Sequence, residues 1–342
     1  MAKRLGEYTL ELRQSPSVLS WAAVGGRVEG EGPLAKEFDK IDDDTTFGQD
    51  TWEKAESLMQ KDAVNLALKK GKLSPSDLQY VFAGDLLNQC ISSTYGLRDL
   101  GVPFIGLYGA CSTMAESLTM AALFVEAGFA QRAAAVTSSH FCSAERQFRF
   151  PLEYGGQRPP TAQWTATASG AAVVGERTAE GPYVRAVTTG RIKDLGVTDA
   201  NNMGAAMAPA AADTLRQYFK DSGTTPADYD LIATGDLGAV GSDLFYQLLG
   251  ELGPQVQGRH KDCGLLLYDR EKQTQVDAGG SGCGCSASVL CAHILPAIRR
   301  GDLTHVLFMA TGALMSPTSV QQGESIPGIA HLLYLSSKKG GE

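Results

Sequence analysis

The sequence has no apolar run long enough to cross a lipid bilayer, which takes about 18 apolar residues. Its first ten residues, MAKRLGEYTL, also lack the apolar stretch that follows the basic residues of a secretion signal. We therefore expect no signal peptide and no transmembrane segment. Any association with a membrane then has to come through a partner protein.

The sequence has fewer basic residues than acidic ones. The chain has 30 lysines and arginines against 38 aspartates and glutamates, a net charge of -8, and its basic residues form no long run. Nucleic acids and anionic membranes both favour a basic protein surface. The charge balance therefore disfavours nucleic acid as a partner and also disfavours direct electrostatic adhesion to a membrane.

Histidine is scarce too, with five residues in 342, whereas cysteine is not, with seven. In a large chain without a secretion signal, most cysteines are expected to be reduced, buried thiols. A cysteine nucleophile usually works with a histidine base. Only His140 follows a predicted core strand, so it is the one histidine that the sequence indicates as a possible base.

Two pairs of segments repeat about half a chain apart. GKLSPSDLQYVFAGDLLNQ (71–89) matches SGTTPADYDLIATGDLGAV (222–240), each with a proline-containing turn, a buried strand and then Gly-Asp-Leu. The segments that begin at Ala110 and Gly284 each contain a Cys-Ser helix start, an apolar helix, a glycine stop and a short strand. This order indicates two duplicated halves, residues 1–176 and 183–342, joined by a polar break.

Each half alternates strands with helices, which indicates an α/β fold with mostly parallel sheets covered by helices. Ligands of such sheets bind beyond the carboxyl ends of the strands. The residues expected at those ends are Asp85, Cys111, His140, Asp236 and Thr311.

The segment IGLYGACSTMAESL (105–118) places Cys111 at the start of a predicted helix. The free N–H groups and the dipole of a helix start stabilise a thiolate, or bind a carboxylate by donating hydrogen bonds to it. Two interpretations stay open here: Cys111 is a nucleophile, or it is a small residue that lines a pocket.

The duplicated α/β pattern, the Gly-Ala-Cys-Ser helix start and the late segment GGSGCGCSASV (279–289) resemble the thiolase and β-ketoacyl synthase fold. The resemblance implies two five-stranded mixed sheets covered by helices in αβαβα layers. It places the catalytic cysteine at Cys111, the histidine at Gly235 or Asp236, and the asparagine near Cys283. Both partner residues are therefore missing, as is the second cysteine of thiolases, expected near Thr311. Cys111 then marks the position of a lost nucleophile, and an acyl-transferring or condensing enzyme that uses Cys111 is the alternative.

The stretches DTWEKAES (50–57) and TSSHFCSAERQFRFPLEYGGQRPPTAQWTATASGAAVVG (137–175) resemble the stage V sporulation protein AD (SpoVAD) family of endospore-forming bacteria. That resemblance implies a non-enzymatic protein that binds dipicolinic acid (pyridine-2,6-dicarboxylate). Such a protein supports the entry of dipicolinic acid into the developing spore and its release in germination. It acts at the inner spore membrane as a peripheral protein, beside SpoVA-type membrane proteins of the same operon. Thiolase relatives are commonly dimers, which favours a homodimer.

The expected ligand-binding residues are Cys111, Asp85, His140, Asp236, Ser281 and Cys283. The N–H groups of residues 111–113 are expected to bind a carboxylate. We expect no resident metal or cofactor, other than calcium that arrives with dipicolinate. Asp85 and Asp236 suit a bridging calcium and equally suit helix caps or turns. The cluster of Arg146, Arg149 and Arg158 suits a carboxylate ligand and equally suits pairing with neighbouring glutamates.

Overall fold

A computed structural model describes residues 2–148 and 158–339. Its strands are β1 (Lys3–Arg4), β2 (Thr9–Glu11), β3 (Ser17–Gly26), β4 (Lys40–Asp42), β5 (Tyr80–Gly84), β6 (Phe104–Gly106), β7 (Arg132–Ser139), β8 (Trp164–Thr165), β9 (Ala168–Gly175), β10 (Tyr183–Thr188), β11 (Leu231–Thr234), β12 (His260–Asp262), β13 (Gly280–Ser281), β14 (His305–Ala313) and β15 (Gly328–Ser336). Its α-helices are α1 (Arg27–Gly30), α2 (Trp52–Lys70), α3 (Ile91–Leu97), α4 (Thr113–Glu126), α5 (Phe141–Phe148), α6 (Met203–Ser222), α7 (Gly238–Leu249), α8 (Gly253–Gln257), α9 (Cys263–Leu267), α10 (Cys283–Val289), α11 (Leu295–Arg300) and α12 (Pro317–Gln321). A π-helical segment, Leu290–Ile294, joins α10 to α11.

The internal repeat is visible in local structure. The proline turns of the first repeated pair are the short 3-10 helices Pro75–Asp77 and Pro226–Asp228, each with a capping box, and β5 and β11 follow them. The glycine stops of the second pair are Gly128 after α4 and Gly301 after α11, with φ angles of 76° and 84°. A left-handed residue at these positions ends a helix, and glycine adopts that conformation without strain.

Two sets of five strands with the same order form the main sheet. The first set runs β6-β5-β7-β9-β3 and the second runs β12-β11-β14-β15-β10. In each set the first three strands are parallel and the remaining two are antiparallel to their neighbours. The α/β class with mixed five-stranded sets is therefore confirmed.

The two sets join edge to edge between β3 and β10. Tyr183 pairs with Ser17, and the N–H group of Val18 donates to the carbonyl of Pro182 at 2.8 Å. Hydrogen bonds of the sheet therefore connect the two halves of the chain. The predicted division of the chain between residues 176 and 183 stays a prediction.

Residues 3–11, here called the amino-terminal strap, cross to the second set of strands. β2 pairs with residues 186–188 of β10. The Asp221 carboxylate, near the end of α6, accepts the N–H groups of Glu7, Tyr8 and Thr9 at 3.0–3.1 Å. No pattern in the sequence predicted this crossing.

Helices form three layers around the strands. α4 contacts β5 and β7 of the first set and β14 and β15 of the second, while α10 contacts β3, β7 and β9. These two helices form a central layer, and its apolar side chains contribute to a core that includes residues of both sets. α2 covers the outer face of the first set, and α6 with α7 covers the outer face of the second. No helix within residues 2–148 and 158–339 is long and apolar enough to span a membrane.

Candidate functional site

The turn that holds Cys111 is built by short local hydrogen bonds. Ala110 has a φ of 50°, the left-handed conformation, and α4 begins two residues after Cys111. The N–H groups of Ser112 and Thr113 donate to the carbonyls of Gly109 and Ala110 at 3.0 and 3.2 Å. The prediction that the N–H groups of residues 111–113 are free for a carboxylate is therefore wrong for two of the three, because the turn uses them itself.

Beside Cys111 lies a narrow slot between the two halves of the chain. It contains about 380 Å³ of space up to its open mouth, of which about 30 Å³ admits the centre of a water molecule. Most of its walls are apolar, and the hydroxyls of Tyr108, Thr165 and Ser281 are its polar groups besides the Cys111 thiol. The described lining residues are Leu86, Tyr108, Ala110, Cys111, Ala144, Phe148, Thr165, Met203, Ser281, Ala313 and Met315.

Asp236 lies beneath Cys111, fully buried after the end of β11. Its Oδ1 accepts the hydroxyl of Thr311 at 2.7 Å, and its Oδ2 accepts the hydroxyl of Ser281 at 3.1 Å and the N–H group of Gly282 at 3.0 Å. Burial raises the pKa of Asp236 to about 7, although these hydrogen bonds oppose the shift. The carboxyl is therefore partly protonated at neutral pH.

The Cys111 thiol is held in its neutral form. Burial raises its pKa well above the ordinary range, and the nearby Asp236 charge and Cys283 raise it further. Its sulfur lies 3.9 Å from the Ser281 hydroxyl, which itself donates to Asp236. The arrangement is the reverse of an activated cysteine, which needs a neighbouring base or cation.

All five histidines lie in the described part of the chain, and each is hydrogen-bonded away from Cys111. Their partners are the Thr45 carbonyl for His140, the Thr234 and Tyr246 hydroxyls for His260, Glu37 for His293, the Tyr334 hydroxyl for His305 and the Gly190 N–H group for His331. No histidine is among the described residues that line the slot.

His140 was expected near the ligand, and the structure places it elsewhere. Its Nε2 donates to the Thr45 carbonyl at 2.7 Å, and its Nδ1 accepts the Cys142 N–H group at 3.1 Å. Burial lowers its pKa, so the ring is neutral. Both ring nitrogens are used to hold loops, and the side chain does not line the slot.

Asp85 and Cys283 belong to a buried polar network next to the slot. Asp85 accepts the N–H group of Leu87 at 2.9 Å and both the N–H group and hydroxyl of Ser93 at 2.8 and 2.6 Å. The Cys283 thiol donates to the Ser138 carbonyl at 2.9 Å, and burial raises its pKa. The structure therefore supports the cap-and-turn interpretation of Asp85 rather than a calcium-binding one.

Glu56 and Gln60, on α2, complete this network, and the sequence analysis missed both. Glu56 accepts the hydroxyls of Ser138 and Ser143 at 3.0 and 2.8 Å, and burial together with the Asp85 charge raises its pKa to about 8. Gln60 donates to the Gly84 carbonyl at 3.2 Å. The signal was present in the sequence as two polar residues four positions apart on the buried face of a predicted helix.

Charge and metal ligands are sparse around the slot. None of the described residues that line it carries a charge at neutral pH. Arg146 pairs with Glu53, and Arg158 lies 3.6 Å from Glu145 and donates to the Gln163 carbonyl. Arg149 lies outside the described residues. Over residues 2–148 and 158–339, no group of three or more histidine, cysteine, aspartate or glutamate side chains is arranged to hold a metal ion.

The structure brings Cys111, Asp236, Ser281 and Thr311 together, and leaves His140 apart. These are the regions in which the thiolase resemblance places a nucleophile and its partners. Gly312 also contacts the turn: a Cβ atom there would lie 2.3 Å from the Gly109 carbonyl oxygen. The geometry therefore groups a thiol, a carboxyl and two hydroxyls beyond the strand ends, with no histidine among the described residues that line the slot.

Comparisons with known proteins identify the family and the fold of the chain. A family model described as Stage V sporulation protein AD (SpoVAD) matches residues 6–336. The Stage V sporulation protein AD of Bacillus subtilis (strain 168) is 49% identical over 329 residues, which covers 96% of each chain. Two similar solved structures confirm the thiolase-like fold. One is 3-oxoacyl-(acyl-carrier-protein) synthase III from Aquifex aeolicus VF5, with 14% identity, a TM-score of 0.56 and coverage of 94% of this chain and 99% of that one. The other is OleA from Xanthomonas campestris, with 13% identity, a TM-score of 0.60 and coverage of 97% and 100%.

Proposed function

Because the chain belongs to the stage V sporulation protein AD family, we propose that it binds dipicolinic acid in the slot beside Cys111 and does not catalyse a reaction. In this proposal the protein serves the entry of dipicolinic acid into the developing spore and its release in germination. The slot suits a flat ring, since it is narrow, mostly apolar and carries a few hydroxyl groups.

The observation that carries the proposal is the neutral state of Cys111. An acyl-transferring cysteine has to become a thiolate, and here burial and Asp236 both oppose ionisation. No described histidine lies against the slot to take the proton. The same features suit a binding site, because the described lining of the slot is neutral and presents no anion to the ligand.

The charge of the slot favours the calcium chelate over free dipicolinate. Free dipicolinate is a dianion, whereas its 1:1 calcium chelate carries no net charge. A pocket with no cation among its described lining residues, above a buried carboxyl with a pKa of about 7, disfavours a dianion at neutral pH. In this proposal calcium therefore enters with the ligand. The protein contributes hydroxyl groups and apolar side chains that contact the chelate.

Acyl transfer through Cys111 is the second candidate function. The observation in its favour is that Cys111 lines an open slot in a fold that ketoacyl synthases share. This candidate requires a covalent adduct on the Cys111 sulfur, which the first candidate does not form.

We also propose that the protein is a homodimer that reaches the inner spore membrane through SpoVA-type membrane proteins. β6 is an edge strand, since β5 is its only partner strand in the described chain. Phe104 on β6 and Tyr108 two residues after it are exposed large aromatic residues. Open edges that carry exposed apolar residues favour pairing with another chain, and a second copy supplies a matching edge.

Calorimetric titration of the purified protein with the calcium chelate and with free dipicolinate tests the binding proposal. The Ala313→Phe change fills the slot, and Ala127→Phe adds the same ring at an exposed position after α4 as the matched control. We expect saturable 1:1 binding of the chelate by the wild type and the control, and at least a tenfold weaker affinity for Ala313→Phe. Circular dichroism checks that both variants fold.

Incubation with acetyl-CoA followed by mass spectrometry tests the enzymatic alternative. We expect no adduct and no product above blank. An acyl group on Cys111, absent from Cys111→Ser, supports the enzyme and contradicts the proposal. If Ala313→Phe binds the chelate with the same affinity as the wild type, the ligand does not bind in the slot.

A further inference from the structure

A second cavity lies at the opposite end of the carboxyl-terminal strands from Cys111. β11 and β14 are parallel, and the slot is beyond their carboxyl ends, whereas this cavity is beside their first residues. It contains about 800 Å³ of space up to its open mouth, of which about 360 Å³ admits the centre of a water molecule. We call it the tyrosine pocket, after the five lining residues that define it, Arg185, Tyr218, Tyr229, His305 and Tyr334.

A β-bulge directs Arg185 into the tyrosine pocket. β10 pairs with β15 with Val184 opposite Leu335 and Ala186 opposite Tyr334, so Arg185 is the extra residue. A bulge re-aims one side chain away from the regular alternation and is common beside binding sites. The guanidinium carbon of Arg185 lies 5.9 Å from the centre of the Tyr334 ring.

The Arg185 guanidinium lacks a full set of partners. One Nη1–H group donates to the Lys338 carbonyl at 3.2 Å, but its buried Nε–H group has no hydrogen-bond partner within the described chain. Because the Nε–H group is shielded from solvent, a carboxylate in the cavity would bind the terminal Nη groups of the guanidinium, which present two parallel N–H bonds to a carboxylate.

The other walls of the tyrosine pocket are hydroxyl groups and aromatic rings. Tyr218 and Tyr229 share a hydrogen bond of 2.6 Å between their hydroxyls, and the Thr224 hydroxyl lies 3.0 Å from that of Tyr229. The hydroxyl of Tyr334 lies 2.6 Å from Nδ1 of His305, whose pKa is lowered mainly by burial. These rings are fixed in place before any ligand arrives, which reduces the entropy lost on binding.

The acidic neighbours limit how much negative charge the ligand carries. Asp228 is engaged by the N–H group and hydroxyl of Thr225 at 2.8 and 3.0 Å, and its pKa is lowered, so it stays ionised. Glu11 of the strap also lines the cavity. With one guanidinium and two carboxylates among the lining residues, a dianion is disfavoured more strongly than a ligand with a single negative charge.

We propose that the tyrosine pocket binds a small aromatic monocarboxylate, with the carboxylate on the Arg185 guanidinium and the ring against Tyr334. This site does not depend on the function proposed for the slot, because the two cavities share no lining residue.

Titration of the full chain with benzoate tests the tyrosine pocket. We expect a dissociation constant on the order of 0.1–1 mM for a ligand of this size. The Arg185→Gln change is expected to weaken benzoate at least about tenfold, the scale of a charge-assisted hydrogen bond. Arg216→Gln, an exposed arginine on the neighbouring helix α6, is the matched control and keeps the wild-type affinity. Ala313→Phe also keeps it, which separates this site from the slot.

The nitrogen NMR signal of Arg185 Nε in the unchanged protein gives a readout that does not depend on a variant folding. We expect benzoate to shift this signal, and benzamide, which has the ring without the charge, to leave it in place. Inorganic phosphate and acetate test the ring requirement and are expected to bind at least about tenfold more weakly than benzoate. The proposal is overturned if the Arg185 signal does not respond to benzoate, if Arg185→Gln binds benzoate as the wild type does, or if benzamide or phosphate binds equally well.

Discussion

Asp236→Asn is expected to remove a large part of the dependence of stability on pH. Burial raises the pKa of Asp236 from 3.8 in its ordinary state to about 7 in the folded protein. Between about pH 4 and pH 7 the folded chain therefore holds one proton more than the unfolded chain. Its free energy of unfolding falls by about 1.4 kcal/mol for each pH unit over that window because of this one group.

The size of the effect follows from the shift. A change of about three pKa units corresponds to about 4 kcal/mol, present in full below pH 4 and lost by about pH 7. Asparagine keeps the shape of the side chain and cannot ionise, and its oxygen can still accept the Gly282 N–H group while its amide donates to Thr311. The variant is therefore expected to be about as stable as the wild type in acid, where Asp236 is protonated, and to become the more stable of the two as the pH rises towards about 7.

Urea unfolding at several values between about pH 4.5 and about pH 7.5 measures this difference. Asp262 and Glu56, with raised pKa values of about 6 and about 8, titrate in both proteins, so their contributions largely cancel in the comparison. Asp77→Asn is the control, because this exposed turn residue has a lowered pKa and adds no such slope. If the free energy of unfolding changes with pH in the same way for the wild type and Asp236→Asn through this window, the reasoning is refuted.

Three further outcomes are expected. Iodoacetamide at neutral pH labels the half-exposed Cys142 well before the buried Cys111, as peptide mass spectrometry will show, and faster labelling of Cys111 contradicts its neutral state. Gly312→Ala, which sets a Cβ atom against the Gly109 carbonyl, lowers the free energy of unfolding by about 1–3 kcal/mol in urea and weakens chelate binding; unchanged values in both assays rule out the close contact. Phe104→Arg places a charge on the exposed end of β6 and shifts the protein from dimer to monomer in sedimentation, whereas a monomeric wild type removes the basis for the dimer.

Much of the fold was predictable because its signals are local. Apolar runs bounded by turns, with the Gly-Asp-Leu tripeptide after two of them, predicted β5 and β11 and the α/β class. The crossing of the strap was not predictable, because β2 has only three residues and its pairing with β10 depends on Asp221, more than 200 positions away. No local pattern carries that information.

The positions of the residues in the candidate site were easier to predict than their roles. Placing residues at strand ends predicted that Cys111, Asp236 and Thr311 lie together, and the structure brings them together. His140 follows a strand in the same way, but its ring turns towards Thr45, and side-chain direction at a strand end depends on the loops that cover it. The slot walls at Met203 and Met315 come from segments without any motif, so sequence reasoning had no signal for them.

The amino-terminal strap has a consequence for a chain that is still being made on the ribosome. Its strand β2 has no partner outside the strap until residues 186–188 have emerged, and Asp221 comes later still. The strap is thus made well before the residues that fix it in place, which lie about 180 to 210 positions further along the chain. An interrupted chain leaves β2 and the edge of β3 unpaired, and unpaired edges of this kind are where nascent chains aggregate or recruit chaperones.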